Sequence, residues 1–254
     1  MILRNDDLDR ARCQPQFVAA MFEDLLWLGL RWEEGPDVGG PFAPYSQSER
    51  VLSYRKAFER LVRDRKVYPC ACSRQDVLQA TQAPHAGDDE PVYPGTCRPT
   101  DEGEWQSVAS TSICFSQGKQ KINWRFQVPD KRIIAFEDAH FGPQRFQSGK
   151  DFGDFVVWRH DDLPSYQLAT AVDDAEMKIT EVVRGEDLLR STSRQLLIYE
   201  ALTLPPPAFY HCDLIRDESG ERLAKRHDSL SLRALRAQGK SPGEIVAGFA
   251  GPGN

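Results

Sequence analysis

The stretch LPSYQLATAVDDAEMKITEVVRGEDLLRSTSRQ, residues 163–195, decides how the rest of the chain is read. It is apolar and β-rich in two runs, 163–174 and 176–189. With FGDFVVW at 152–158 just before it, the pattern predicts strands buried on both faces of a parallel sheet. Tyr166 and Arg184 then fall at adjacent strand ends, where an open parallel sheet places its ligand sites. An arginine there can hold a carboxylate through two parallel hydrogen bonds, and a tyrosine hydroxyl can bond an amino or carboxyl group. The competing reading is structural, with Arg184 paired to Glu186 or Asp187 and Tyr166 packed in the core. Thr192 and Gln195, spaced as a capping box, predict the start of a helix through Leu196, Leu197 and Tyr199.

Upstream, Ile2-Leu3-Arg4 reads as part of a short strand that leaves through the acidic stretch from Asn5 to Arg10. Residues 15–28 then place Phe17, Met21, Leu25 and Leu28 at helical spacing, with Pro15 at a tolerated first-turn position. Ser46 and Glu49 form a capping-box pattern ahead of a helix with Val51, Tyr54, Phe58, Leu61 and Val62 on one face. From Tyr68 to about Asp151 the character changes to short alternating segments, of which INWRFQV is the clearest, with Ile122, Trp124, Phe126 and Val128 on one side. This predicts an inserted α+β subdomain at 68–151 between core segments 1–67 and 152–254. Beyond Pro205-Pro206-Pro207, RDESGER reads as a hairpin turn, Ser229 onward as a helix ending at Gly239, and Ser241 as the start of a last short helix.

The 254 residues suffice for a sizeable core, and 40% hydrophobic with 28% charged residues is ordinary globular make-up. A net charge of -6 argues against a generic nucleic-acid coat, which needs a basic surface, but leaves room for a local basic face. No apolar run approaches the roughly 18 residues of a membrane span. The start of the chain also lacks the basic and apolar pattern of a secretory leader, so the default expectation is cytoplasmic. In a reducing compartment the six cysteines read as thiols or metal ligands.

Cys70, Cys72 and Cys97 supply three donors for a tetrahedral zinc site, with His85 and Tyr93 as rival candidates for the fourth. The alternative is three unrelated buried thiols. In GERLAKRHDS, Arg222, Lys225 and Arg226 gather positive charge on a loop that can grip polyphosphate; read alone the motif is weak, and a solvated basic turn is the commoner explanation of such a run.

Together these motifs resemble a class I aminoacyl-tRNA synthetase of the glutamyl/glutaminyl kind. The 163–202 stretch resembles that family's run from amino-acid pocket to core helix, RLAKRHDS its second ATP signature, and LRNDDLDR its LRIEDLDR segment. The resemblance covers essentially the whole chain. With only 28 residues after Arg226, it is similar in shape to the glutamyl-queuosine tRNA(Asp) synthetase branch, which has no anticodon-binding domain.

The resemblance implies a Rossmann-like α/β catalytic core with a zinc-bearing insertion. It also implies activation of glutamate by ATP with magnesium, and transfer of the glutamyl group to queuosine in tRNA(Asp). Three Cys and a Tyr hold zinc in that branch, which points to Cys70, Cys72, Tyr93 and Cys97. Tyr166 and Arg184 match glutamate-contacting residues, Asp6 matches a Glu that contacts the substrate amino group, and Lys225 with Arg222 matches the ATP-binding loop. Asn5 stands in place of an apolar residue, Ala224 in place of a Ser, and Lys178 in place of a common Gly. The family's first strand, phosphate-binding loop and helix have no counterpart before LRNDDLDR, so the core is expected to be incomplete at its first strand. The alternatives to a working enzyme are a tRNA- or zinc-binding module that kept the scaffold, or a glutamyl-tRNA synthetase fragment.

Overall fold

The structure, a computed structural model, describes residues 1–9, 13–73, 75–77, 92–110, 113, 115–117, 120–214 and 231–249. The chain divides into two compact units, Met1–Glu49 with Leu214–Asn254, and Arg50–Asp213. Among the described residues no helix is long and apolar enough to cross a membrane.

In the first unit, helix α1 (Pro15–Trp27) starts on its proline as expected but buries none of its residues. The expected opening strand is reduced to two isolated parallel bridges, Ile2 to Glu34 and Asn5 to Ser46. Asn5 is buried, and its backbone is satisfied by Tyr45 and Gln47. Ser46 and Glu49 do not form a capping box. A 3-10 turn, Gln47–Glu49, intervenes, and the Asp7 carboxylate accepts from both the backbone N–H and the hydroxyl of Ser48.

The second unit is built around helix α2 (Val51–Arg63), which buries Tyr54, Phe58, Leu61 and Val62 on one face. Phe58 stacks on Trp158 at 4.8 Å and meets Trp124 edge-on at 5.4 Å. Those tryptophans belong to an antiparallel sheet of β1 (Val67–Cys70), β4 (Asn123–Phe126) and β7 (Phe155–Trp158), in the order β1-β4-β7. Ile122, Trp124, Phe126 and Val128, read from INWRFQV as one side, are all buried, and Arg125 between them is buried as well. A short hairpin, β2 (Ser116–Gln117) with β3 (Gln120–Lys121), precedes β4. Helix α3 is Glu102–Ser110.

A second sheet has the order β6-β5-β9-β8, from β5 (Ile133–Asp138), β6 (Gly142–Gln147), β8 (Glu181–Gly185) and β9 (Ala208–Cys212). Here β5–β6 is antiparallel, whereas β9 runs parallel to both β5 and β8. Strands on both sides of residue 151 thus share each of these sheets.

Three sequence expectations need correcting. Residues 163–174 do not form a strand: they enter helix α4 (Tyr166–Glu176), which Ser165 caps by accepting from the Leu168 N–H. Every residue from Leu168 to Asp174 is buried, and a helix buried all round shows the same unbroken apolar run as a strand buried on both faces. FVVW is a strand, but an antiparallel one. Thr192 and Gln195 do not open a helix; they lie buried inside α5 (Leu189–Ala201).

Two adjacent carboxylates hold α4 in place. Asp173 accepts from Arg50 at 2.6 Å and from the Tyr54 hydroxyl at 2.9 Å, and Asp174 accepts from the Tyr199 hydroxyl at 3.1 Å. Removing one partner of such a buried pair costs about 3–5 kcal/mol, so these bonds fix α4 between α2 and α5. At its far end α4 closes in a Schellman turn: Ile179 N–H reaches Asp174 O at 2.8 Å and Lys178 N–H reaches Ala175 O at 3.2 Å. Lys178 sits there at φ 54, a left-handed position that favours glycine. This is the conformational reason that a Gly suits the position.

Helix α6 (Leu232–Ala237), capped by Ser231, and α7 (Pro242–Phe249) belong to the first unit. The helix expected from Ser229 starts slightly later, at Leu232.

Candidate functional site

The cysteine site is made by the end of β1 and the turn at 93–97. Sγ atoms of Cys70, Cys72 and Cys97 lie within 4.8 Å of one another. The Tyr93 hydroxyl sits among them, 3.4 Å from Cys70 Sγ and 3.6 Å from Cys72 Sγ, and Cys72 and Cys97 sulfurs are 3.5 Å apart. A regular tetrahedron with Zn–S of about 2.3 Å and Zn–O of about 2.0 Å sets sulfurs about 3.8 Å apart and sulfur about 3.5 Å from oxygen. The four donors therefore fit zinc. His85, the rival fourth donor, lies outside the described residues.

The surroundings of the donors are equally specific. Tyr68, Val77 and Tyr93 pack around the cysteines, with Trp105 against them. Arg125, buried in the same sheet, donates to Cys70 Sγ at 3.2 Å and lies 4.0 Å above the Tyr93 ring. Gly153 has no side chain where one cannot fit: a Cβ there would meet Tyr93 O at 2.8 Å and Tyr93 N at 3.0 Å. Burial pushes the Cys72 thiol up to about 11, and burial together with bonds to the three sulfurs drives the Tyr93 phenol above its ordinary value. Burial acts the same way on Cys97, but hydrogen bonds from Tyr93, Cys72 and the Ala71 backbone outweigh it and bring that thiol down. A divalent cation among such donors favours their ionised forms and ties the turn to the strand.

A second polar centre surrounds Arg184 on β8. Its Nε donates to His211 Nε2 at 3.1 Å, and its Nη2 donates to Thr192 Oγ1 at 2.6 Å and Gln195 Oε1 at 2.9 Å. The guanidinium carbon also lies 5.6 Å from the Phe209 ring centroid. Neither Glu186 nor Asp187 is a partner, so the structural ion pair does not form. Nη1 alone has no protein partner among the described residues. Behind this arginine, Asp138 Oδ2 lies 2.5 Å from His211 Nδ1, and the carboxylate also accepts from the backbone N–H groups of His140, Phe141 and His211. Burial alone raises the Asp138 carboxyl, but these hydrogen bonds outweigh it and hold it below its ordinary value.

Tyr166 opens α4 and is partly exposed, lining a cleft of about 420 Å³ with Gln167, Asn123, His160, Arg159 and Arg194. No hydrogen bond joins it to Arg184. Helices α4 and α5 meet where Gln167 Nε2 donates to Ser191 Oγ at 3.0 Å, next to Thr192. A neighbouring cleft of about 370 Å³, lined by Cys72, Tyr93 and Arg125, shares Asn123 and Arg194 with the first. One turn after Tyr166, the buried Thr170 hydroxyl has no hydrogen-bond partner among the described residues.

Asp6 belongs to the other unit, where Arg4 Nε donates to its carboxylate at 2.7 Å. Arg222, Ala224, Lys225 and Arg226 fall outside the described residues. Sequence reasoning missed Asp138, Thr192, Gln195 and His211 as members of a site. No local signal marked Thr192 and Gln195, which stand in the polar run 190–195 and are buried in α5.

Over residues 1–253 the chain matches the family model of tRNA synthetases class I (E and Q), catalytic domain. It is 48% identical over 98% of its length to a glutamyl-Q tRNA(Asp) synthetase of Symbiobacterium thermophilum, covering 75% of that protein. It is 43% identical over 98% of its length to one of Nitratidesulfovibrio vulgaris, covering 74%. A crystal structure of the glutamate-tRNA synthetase from Elizabethkingia anophelis superposes with a TM-score of 0.72 at 31% identity, over 91% of this chain and 47% of that one. The chain thus spans about half the length of that solved synthetase.

Proposed function

We propose a function from one premise: the chain belongs to the class I tRNA synthetases of the glutamate and glutamine type, whose catalytic-domain model it matches. The proposal is a ligase that activates glutamate with ATP and magnesium and passes the glutamyl group to queuosine in tRNA(Asp), in the cytoplasm. The names of its relatives support the substrate, and the environment of Arg184 supports the pocket. The observation that carries it is the state of that guanidinium: three donor contacts hold it in one plane, and Nη1 is left for an acidic substrate.

In this reading the glutamate α-carboxylate attacks the α-phosphorus of ATP, the bond to pyrophosphate breaks, and glutamyl-adenylate forms. A queuosine hydroxyl then attacks the activated carbonyl, AMP leaves, and the hydroxyl proton goes to solvent. The protein's part is positioning and charge stabilisation. Arg184 takes a glutamate carboxylate through Nη1 and Tyr166, which lines the cleft, offers its hydroxyl; Asp6 is assigned the substrate amino group on the family resemblance alone. Lys225 and Arg222 neutralise ATP phosphates. Zinc on Cys70, Cys72, Tyr93 and Cys97 has a structural role, as a cross-link between strand and turn.

The test is transfer of labelled glutamate, with ATP, to tRNA(Asp) that carries queuosine and to the same tRNA without it. The expected result is ATP-dependent labelling of the modified tRNA alone, lost in Arg184→Ala. Equal labelling of both tRNAs would overturn the queuosine assignment, and no labelling of either would overturn the ligase assignment for this chain.

A further inference from the structure

The Arg184 centre contains a chain of contacts that the proposed chemistry leaves unused. His211 is completely buried, as are Thr192 and Gln195, and Asp138 nearly so. Asp138 Oδ2 lies 2.5 Å from His211 Nδ1, and that carboxylate is already oriented by three backbone N–H groups. A carboxylate can only accept, so Nδ1 carries the proton. His211 Nε2 is then a bare acceptor, and it faces Arg184 Nε, a group that can only donate, at 3.1 Å.

Thr192 lies against the same lone pair, its Oγ1 3.1 Å from His211 Nε2. Its oxygen accepts from Arg184 Nη2 at 2.6 Å, and its proton reaches Leu188 O at 3.2 Å, one turn back, or His211 Nε2, which is an acceptor in either case. Asp138, His211 and Arg184 thus share one consistent direction, and Thr192 fits it with its proton on either acceptor. Reversing the imidazole tautomer would put an N–H against an N–H at the Arg184 end and leave Asp138 facing a lone pair.

We infer that His211, set in its Nδ1–H tautomer by Asp138, is a positioning residue that fixes the plane of Arg184 and so aims Nη1 at the substrate carboxylate. The inference rests on the proposed role of Arg184 in glutamate binding. Its physical content is orientation: a guanidinium held by one edge and one amino group has a single direction left for its remaining amino group. His211→Leu removes the acceptor at similar bulk, whereas His211→Gln restores an acceptor oxygen near the position of Nε2.

Two measurements on the full chain test this. The first is nitrogen NMR of the imidazoles at neutral pH, in which one of the five histidines is expected as the Nδ1–H tautomer and is expected to vanish in His211→Leu. An Nε2–H signal assigned to His211 overturns the inference whatever the ligand does. The second is calorimetric titration with L-glutamate. His211→Leu is expected to weaken binding about ten-fold or more, as loss of a bond to a charged group does, with His211→Gln recovering most of it. Thermal unfolding of each variant separates local reorientation from failure to fold. If Arg184→Ala weakens binding and a folded His211→Leu does not, the inference falls and the pocket assignment stands. If Arg184→Ala also leaves glutamate binding unchanged, or the unaltered chain binds none, both fall.

Discussion

The cysteine cluster and the Arg184 centre are both buried polar sites in the same unit, and they solve opposite electrostatic problems. At the cluster, three thiols and a phenol converge within 4.8 Å or less and burial holds Cys72 and Tyr93 in their neutral forms. These donors call for a cation from outside. At Arg184 the cation is built into the chain and is met by neutral acceptors, with the one carboxylate, Asp138, set a residue further back behind His211. Among the described residues no carboxylate bonds the guanidinium directly. In the proposed function a substrate carboxylate meets a positive charge already oriented by these acceptors. Close packing of like donors prepares a metal site; a charge with its partner one step removed prepares a pocket for an anion.

The comparison breaks most visibly at the cluster. Cys70→Ser combined with Cys72→Ser is expected to reduce zinc, measured by atomic emission on protein purified without chelator, from about one ion per chain to about none. Trp105 packs against these residues, so its fluorescence should shift as the turn comes loose from the strand. Unchanged zinc content would mean the metal is held elsewhere.

A smaller effect is expected from Asp138→Asn. The Asp138 carboxyl is held below its ordinary value in the folded protein, so its contribution to stability is fully present above the unfolded value of about 3.9 and fades as pH falls through the lower folded value. The variant should be less stable by about 1–3 kcal/mol at pH 7, with the gap narrowing below about pH 4. Denaturant unfolding at a series of pH values reads both. A gap independent of pH would show that the Asp138 charge is not what stabilises this centre.

The smallest change sharpens the comparison by touching neither site. Lys178 lies in the turn that feeds β8, at a φ of 54, where a side chain costs about 1–2 kcal/mol relative to glycine. Lys178→Gly, offset by the greater freedom of glycine in the unfolded chain, is expected to gain about 0.5–1 kcal/mol, or about 1–4 °C in midpoint. Zinc content and glutamate binding should stay as they were. A loss of stability would mean that contacts of the lysine side chain outweigh its backbone cost.

Much of the candidate metal site is legible in the order of residues alone. The C-x-C pair and the YPGTC turn are local patterns, and the family resemblance points to Tyr93, whose hydroxyl does sit among the three sulfurs. Gly153 and Arg125 are not legible in that way, because their roles depend on β4 and the 153–154 backbone lying against the turn. The Arg184 centre divides similarly. Arg184 carries a family pattern, but His211 and Asp138 are 73 residues apart in sequence and meet only because β9 runs beside β5.

By itself, then, the sequence determined the family, the three cysteines that gather, the amphipathic face of α2 and the apolar row of β4, through patterns of spacing and residue type. It misread 163–174 as a strand, because a helix buried on every side loses the periodicity that distinguishes it. Only the tertiary structure decided that α4 is a helix fixed by Asp173 and Asp174, that Thr192 and Gln195 face Arg184, and that a buried histidine stands between that arginine and its carboxylate. Hydrogen-bond direction is a property of atoms brought together by the fold, and no order of residues along the chain states it.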